Sequence, residues 1–428
     1  MEEFDGNKFS LVLSGGGARG AYEAGVIYYI RTQLPREIRE STLFNIYSGT
    51  SVGAINSAFL ASSAEDPIYQ GGRLRQLWLG LNDHEIYRAD IHALTGFLVR
   101  SGFFMATNFF GLGRLLGGEK AQGNSPFPFV SVLDTSPFVN FLRRNVPWKQ
   151  IHRNIERGLL DAVTVSATHM ISGQLALFVE KAPGVVYRQG GIRPMLCSLS
   201  PKHVLASAAI PIVFPTIRIN REFYGDGGLR QNTPMSPSIH MGATRILVIS
   251  TQSKRTPKLA DHSPSVMEAV PTIGDILGTL LDSVFTDKLD YDLEQMKRIN
   301  FLINDFEKIY GRQSLDEINT LRNQQPVAGK EIHEIQKITP FVIKPSMDIG
   351  AIASEHFMQL LKRKEVLTPM QKFFAKTMEG TPDTNNDLVS YLLFNREYLD
   401  TMLQMGYEDA RKEHDRLVNF FLGLPLEK

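Results

Sequence analysis

The sequence predicts an α/β protein, a three-layer α/β/α arrangement around a mostly parallel sheet, followed by a mainly helical C-terminal part. Three observations carry this expectation. A short apolar strand, a glycine turn and a helix rich in small residues occur in that order twice near the start of the chain. The run Arg245 to Ser250 (RILVIS) has the length and β-branched content of a buried strand. Beyond it the pattern is mostly helical.

Each element can be justified in order. Phe9 to Leu13 is apolar and stops at glycines, which predicts a strand. Ala18 to Leu34 follows as a helix, with Ala21, Ala24, Gly25, Tyr28 and Tyr29 near helical spacing. Phe44 to Tyr47 is the second strand and Val52 to Ala61 the second helix. Leu159 to Ala167 and Gln174 to Glu180 read as strands, and Lys202 to Ala208 as a helix. Ile217 to Ile219 and Phe223-Tyr224 flank a turn at Asn220-Arg221. Ser236 to Met241 reads as a helix ahead of the strand at Arg245. Lys254 to Ser265 is polar, contains Pro257 and Pro264, and reads as a linker. Pro340 to Lys344 could add an edge strand. The expected organisation is a catalytic domain over 1–255 with a Phe-rich insert near 92–123. A mainly helical region follows over 256–428, with an extra strand near 340–345. No internal repeat or low-complexity tract is visible.

Composition narrows the function classes. Of the 428 residues, 43% are hydrophobic and 21% charged, enough for a sizeable core in a soluble globular chain. The net charge of +1 gives no pull toward nucleic acid. Cys197 is the only cysteine, which excludes an intrachain disulfide and zinc sites built on several cysteines. The acidic start, Met1-Glu2-Glu3-Phe4-Asp5, lacks the pattern of a signal peptide. No charge-free apolar run reaches the ~18 residues of a membrane span. The expected location is the cytosol, with export by a route lacking a cleaved signal left open.

Three short stretches carry chemistry. Gly49-Thr50-Ser51-Val52-Gly53 fits Gly-x-Ser-x-Gly, the turn that presents a nucleophilic serine between a strand and a helix. The plainer reading is a serine N-cap between turn glycines. Ser14-Gly15-Gly16-Gly17-Ala18-Arg19-Gly20 follows the first strand, and consecutive glycines let backbone N–H groups approach developing negative charge, as an oxyanion hole requires. Gly15, Gly17 and Gly20 also satisfy a dinucleotide fingerprint, but no acidic residue ends the second strand, as that reading wants. A tight packing loop is the third reading. Tyr224-Gly225-Asp226-Gly227-Gly228 is turn chemistry, and its aspartate could simply close an Asx-turn. A nucleophilic serine needs a base. Downstream of Asp226 lie His240, His262, His333, His356 and His414, none after an apolar strand in a glycine-marked turn, so they read as solvated or packing residues.

Gly-Gly-Gly-x-Arg-Gly, Gly-x-Ser-x-Gly and Asp-Gly-Gly in this order resemble the patatin-like phospholipase family. The resemblance covers roughly Phe9 to Ser250 and is reinforced by Ala206 to Pro215 and by Asn232-Thr233-Pro234. It extends weakly to Gly406-Tyr407-Glu408-Asp409-Ala410, which is similar to a helix of bacterial members. It implies a Ser-Asp dyad without histidine: Ser51 as nucleophile and Asp226 as base. Gly15, Gly16 and Gly17 would form the oxyanion loop, with Arg19 steadying it or meeting a phosphate. Gly49, Gly53, Gly227 and Gly228 flank the two catalytic positions. His169 departs from the family, whose members often carry an acidic residue after Ala-Thr. The implied substrates are glycerophospholipids or other lipid esters, and no cofactor or metal is expected.

The insert, HALTGFLVRSGFFMATNFFGLGRLLGGEKAQG, carries Phe97, Phe103, Phe104, Phe109 and Phe110, with Arg100 and Arg114 its only charges before Glu119. Such a stretch over 97–116 can touch a bilayer interface or cover an acyl pocket, and a buried helical hairpin is the plainer alternative. A homo-oligomer is left open. The rival functions are a catalytically idle scaffold binding lipid or a partner through the insert, and a dinucleotide enzyme using Gly15 to Gly20. Ester turnover separates the first from a hydrolase, and NAD titration the second.

Overall fold

The computed structural model describes residues 7–41, 43–88, 133–188, 192–211, 213–253, 289–311, 313–324, 335–363, 367–368, 371–372, 375 and 387–426. The Phe-rich insert and the linker expected at 254–265 lie outside them.

Strands β1 (Phe9–Leu13), β2 (Ile46–Thr50), β3 (Ala162–His169), β4 (Leu175–Lys181), β5 (Pro194–Leu196), β8 (Arg245–Ile249) and β9 (Thr339–Ile343) form one sheet in the order β5-β4-β3-β2-β1-β8-β9. The pairs β3–β2, β2–β1, β1–β8 and β8–β9 are parallel, and β4 runs antiparallel to β3. The hairpin β6 (Ile217–Ile219) and β7 (Glu222–Asp226) joins through β7, which lies antiparallel on the end of β3.

Alternation along the strands builds two apolar cores, one per face. Leu11, Leu13, Leu247 and Ile249 point into the larger core. Val12, Ile246 and Val248 point into the smaller. The larger is covered by α1 (Gly20–Gln33), α3 (Val52–Ser62) and α4 (Pro67–Leu79), together with C-terminal helices. Short helices α2 (Arg36–Arg39) and α5 (Asp83–Ile86) trim the loops. Further along come α6 (Ser136–Asn145), α7 (Trp148–Glu156) and α8 (Pro201–Ser207). The smaller core is closed by α9 (Met235–His240) and α10 (Leu289–Tyr310).

Strand β2 begins two residues later than expected and runs through Ser48, Gly49 and Thr50, all buried. Apolarity alone misses these positions because their polar groups are satisfied sideways. Thr164 Oγ1 donates to Ser48 Oγ at 2.9 Å, and Ser48 and Ser10 both bond the Ser238 hydroxyl at 2.9 and 2.7 Å. Buried hydroxyls paired in this way avoid the cost of burial unpaired.

The C-terminal region continues the same body. Beyond α11 (Gln313–Gln324), β9 extends the sheet at β8, beginning one residue before the strand expected from Pro340. Helices α12 (Ile349–Lys362), α13 (Asp387–Leu392), α14 (Arg396–Lys412) and α15 (His414–Phe421) bury Phe357, Tyr391, Tyr398 and Phe420 in the larger core. Helix α14 lies hard against α1. A side-chain carbon at Gly25 would collide with the Leu403 carbonyl, and one at Gly406 with the Tyr22 carbonyl. Two glycines facing opposite ways let these backbones touch.

Candidate active site

The turn after β2 is one residue long. Strand β2 ends at Thr50 and α3 starts at Val52. Ser51 between them has φ 54° and ψ −123°, a left-handed conformation that side-chain-bearing residues adopt rarely and at a cost. The flanking glycines make the turn sterically feasible. A side-chain carbon at Gly49 would strike the backbone of Gly53, and one at Gly53 would strike the Leu13 carbonyl. The Ser51 N–H donates to Ser207 Oγ at 2.8 Å, and Ser207 in turn donates to the Ser166 carbonyl at 2.6 Å. The hydroxyl therefore sits on a rigid backbone at the N-terminus of α3, which favours negative charge.

Asp226 reaches the same place by sheet register. Strand β4 fills one edge of β3 from Ala162 to Thr168, so β2 and β7 share the other. Thr50 pairs with Ser166, and Asp226 pairs with Ala167. The last residue of β2 and the last residue of β7 thus meet β3 at consecutive positions. The loop behind Asp226 is tied down: its N–H donates to the Ala209 carbonyl at 2.9 Å, and Thr50 Oγ1 donates to the Gln231 carbonyl at 2.8 Å.

The Asp226 carboxyl is fully buried. Its Oδ1 accepts the Gly228 N–H at 2.7 Å, which also makes it the cap of the turn over Gly227–Leu229. Its Oδ2 has no hydrogen-bond partner among the described residues. Burial pushes this carboxyl up to about 7, opposed by the Gly228 N–H on Oδ1 and by the Ser51 hydroxyl, which lies near enough to favour the charged form without completing a hydrogen bond to Oδ2. It is an Asx-turn residue, as the plainer reading held, with its other oxygen unused by the fold.

The glycine loop is held from below. The Gly15 N–H donates to the Asn232 carbonyl at 3.1 Å, and Thr251 Oγ1 donates to the Gly15 carbonyl at 2.5 Å. Of the three loop glycines, Gly15 has therefore spent its donor, which removes it as a direct oxyanion donor. The N–H groups of Gly16 and Gly17 donate to nothing among the described residues. Gly17 is at φ +56°, and a side-chain carbon there would collide with the Tyr391 carbonyl. Arg19 turns away from solvent, with its guanidinium on Ser390 and over the Tyr391 ring.

An apolar pocket opens beside Ser51 and Gly17. Its walls are Val52 and Ile55 of α3, Leu77 and Trp78 of α4, Phe138 and Phe141 of α6, Phe214, and the C-terminal Tyr391, Leu392 and Phe394. A buried network stands behind the Trp78 wall. Asn56 accepts the Trp78 indole N–H at 2.9 Å and donates to Glu23 Oε2 at 2.8 Å and to the Gly20 carbonyl at 3.2 Å. Burial raises the Glu23 carboxyl well above the usual range.

The described histidines downstream of Asp226 contact other groups. His240 packs on Tyr187, His356 bonds Thr401 Oγ1 and His414 bonds the Tyr29 hydroxyl, while His262 and His333 lie outside the described residues. His169 ends β3 with Nδ1 on Ser172 Oγ. No group of three or more His, Cys, Asp or Glu among the described residues could hold a metal ion.

A family model described as patatin-like phospholipase matches residues 11–239, more than half of the chain. The chain belongs to the patatin-like phospholipase family. Similar solved structures include VipD from Legionella pneumophila, at 12% identity and a TM-score of 0.34, covering 96% of this chain and 67% of that one. Another is the human GIVD cytosolic phospholipase A2 in complex with methyl gamma-linolenyl fluorophosphonate, at 12% identity and a TM-score of 0.40. That likeness covers 98% of this chain and 59% of the human protein. No curated protein matches the chain. Membership rests on the matched residues rather than on these likenesses. As a patatin-like phospholipase the protein is a lipid acyl hydrolase in general class. Ser51, Asp226, Ser207 and the glycine loop fall inside the matched span, whereas Thr251 and Ser390 to Phe394 fall outside it.

Two kinds of site residue escaped sequence reasoning. Ser207 lies in the helix expected over Lys202 to Ala208 and in the family feature Ala206 to Pro215, and neither marks it as the acceptor of the Ser51 N–H. Tyr391, Leu392 and Phe394 carry no local signal at all, because their role comes from packing across more than three hundred residues of sequence.

Proposed function

We propose that the protein hydrolyses lipid acyl esters through Ser51 and Asp226. The observation that carries this reading is the strained Ser51 backbone beside a fully buried Asp226 whose Oδ2 the fold leaves unused. Ionised Asp226 takes the Ser51 hydroxyl proton as the oxygen attacks the ester carbonyl. The carbonyl oxygen gains negative charge, and the N–H groups of Gly16 and Gly17 receive it. Each such donor is worth roughly 10²–10³ in rate. Collapse breaks the ester C–O bond, the proton on Asp226 goes to the departing alcohol, and the acyl group stays on Ser51. Water then repeats the sequence, with Asp226 again as base, and releases the fatty acid.

The pocket beside Ser51 favours an acyl chain over a polar acyl group, since its lining includes Val52, Trp78, Phe138, Phe141 and Tyr391. Glycerophospholipids and other lipid esters fit this reading, and the Phe-rich insert over 97–116 is the proposed contact with the lipid surface. Nothing favours a dinucleotide at the glycine loop, where Tyr391 covers Gly17.

The test is turnover of a p-nitrophenyl acyl ester and of phospholipid vesicles by the wild type and by Ser51→Ala. The variant is expected to fold normally by circular dichroism and to lose at least ~10²-fold in turnover. A folded variant that keeps more than about a tenth of the activity, a barrier change of only ~1.4 kcal/mol, would sink the reading.

A further inference from the structure

We infer that Ser390 and Tyr391, far outside the family-matched span, are positioning residues that set the glycine loop through Arg19. The inference rests on the hydrolase reading above. A loop of consecutive glycines has no side chains of its own to fix it, so its shape must be imposed from outside. From below, Asn232 and Thr251 bond Gly15, and the Thr251 side chain packs against Gly16. Gly17 lies against Tyr391 instead.

That support comes from the end of α13. Arg19 Nε and Nη2 donate to Ser390 Oγ at 2.8 and 2.5 Å, and the guanidinium carbon lies 3.9 Å from the centre of the Tyr391 ring. Residues 19 and 390 are 371 positions apart. The Arg19 N–H also donates to the Gly16 carbonyl at 3.1 Å, so moving Arg19 moves Gly16. Gly17 is in close backbone contact with Tyr391 itself. A side chain there would strike the Tyr391 carbonyl, and the positive φ of Gly17 favours glycine as well.

The α13 segment is rigid enough to act as a reference. The Tyr398 hydroxyl donates to the Ser390 carbonyl at 3.1 Å and the Tyr87 hydroxyl to the Leu392 carbonyl at 3.2 Å. The Phe394 N–H donates to Asp83 Oδ1 at 3.2 Å. Ser390, Tyr391 and Leu392 are all buried. Tyr391 also lines the pocket with Ser51 and Gly17, so one residue touches the loop, its arginine and the substrate space. A planar guanidinium that both stacks and forks onto one hydroxyl cannot be replaced by a lysine ammonium. Displacement of catalytic donors by about 1 Å is enough to cost on the order of 10²-fold.

The experiment compares Arg19→Lys, Ser390→Ala and their double variant with Ser51→Ala. The readouts are kcat and KM on p-nitrophenyl butyrate, beside melting curves. Arg19→Lys is expected to lower kcat by about tenfold to a hundredfold, and Ser390→Ala by several-fold, with KM within about twofold and unchanged melting. The double variant should be no worse than Arg19→Lys, since both changes break one contact. Wild-type kcat in Arg19→Lys would overturn the inference. So would losses that multiply in the double variant, or that vanish after correction for the folded fraction. Should Arg19→Lys fail to fold, Ser390→Ala carries the test through the same split between kcat and KM. The two levels separate cleanly. An inactive Ser51→Ala beside a fully active Arg19→Lys removes this inference alone, whereas an active Ser51→Ala removes the reading beneath it.

Discussion

On the proposed mechanism, Asp226 both costs stability and serves as the base. Its folded value near 7 lies about 3 units above the ordinary aspartate value of 3.8. The folded state therefore holds this proton more tightly than the unfolded state between those values. Stability from this group falls as pH rises from about 4 to about 7, and the full cost is present above 7. At ~1.36 kcal/mol per unit the cost is on the order of 4 kcal/mol. Asp226→Asn removes the buried charge. The variant should melt above the wild type at pH 8, with the gap narrowed to roughly a third near pH 5 and closed only near pH 4, while losing ester turnover at both pH 8 and pH 5. Melting curves at the two pH values check this, and a gap independent of pH would contradict it. The wild type's activity should rise with pH through about 7, because only ionised Asp226 can accept the Ser51 proton.

At the scale of elements, docking of α14 on α1 depends on Gly25 and Gly406, whose missing side chains let the backbones meet. Gly406→Ala places a methyl group against the Tyr22 carbonyl with nowhere to go, and overpacking of this kind costs about 1–3 kcal/mol. Chemical denaturation should show that loss, and wild-type stability would mean the helices separate freely. Much of this level could be read from the chain. The strands at Phe9 and Arg245, the serine turn and the hairpin ending at Asp226 announce themselves by apolar runs cut by glycines. The end of β2 was hidden because Ser48 and Thr50 look like surface residues until Ser238, Thr164 and Gln231 are found bonded to them. The spent donor of Gly15 was hidden as well, since its acceptor is a backbone carbonyl more than two hundred residues away.

At the scale of the whole molecule, the site is drawn from both ends of the chain, and one stretch is proposed to meet the lipid surface. The insert near 92–123 lies in sequence between Ile86 and Phe138, both of which line the pocket. Each large apolar side chain taken from water contributes about 1.5–3 kcal/mol, so two or three phenylalanines suffice for weak anchoring. Changing Phe103, Phe104, Phe109 and Phe110 to Ser should weaken liposome binding and slow cleavage of aggregated lipid, leaving a short soluble ester little affected. Equal losses on both substrates with a lowered melting point would assign these residues to the core. The central claim, that Ser51 is the nucleophile and Asp226 its base, is tested most directly by peptide mapping after a fluorophosphonate reaction. The expected result is a single adduct on Ser51, absent from Ser51→Ala and formed at least about tenfold more slowly in Asp226→Asn. An adduct on another serine, or labelling of Asp226→Asn at the wild-type rate, would contradict it.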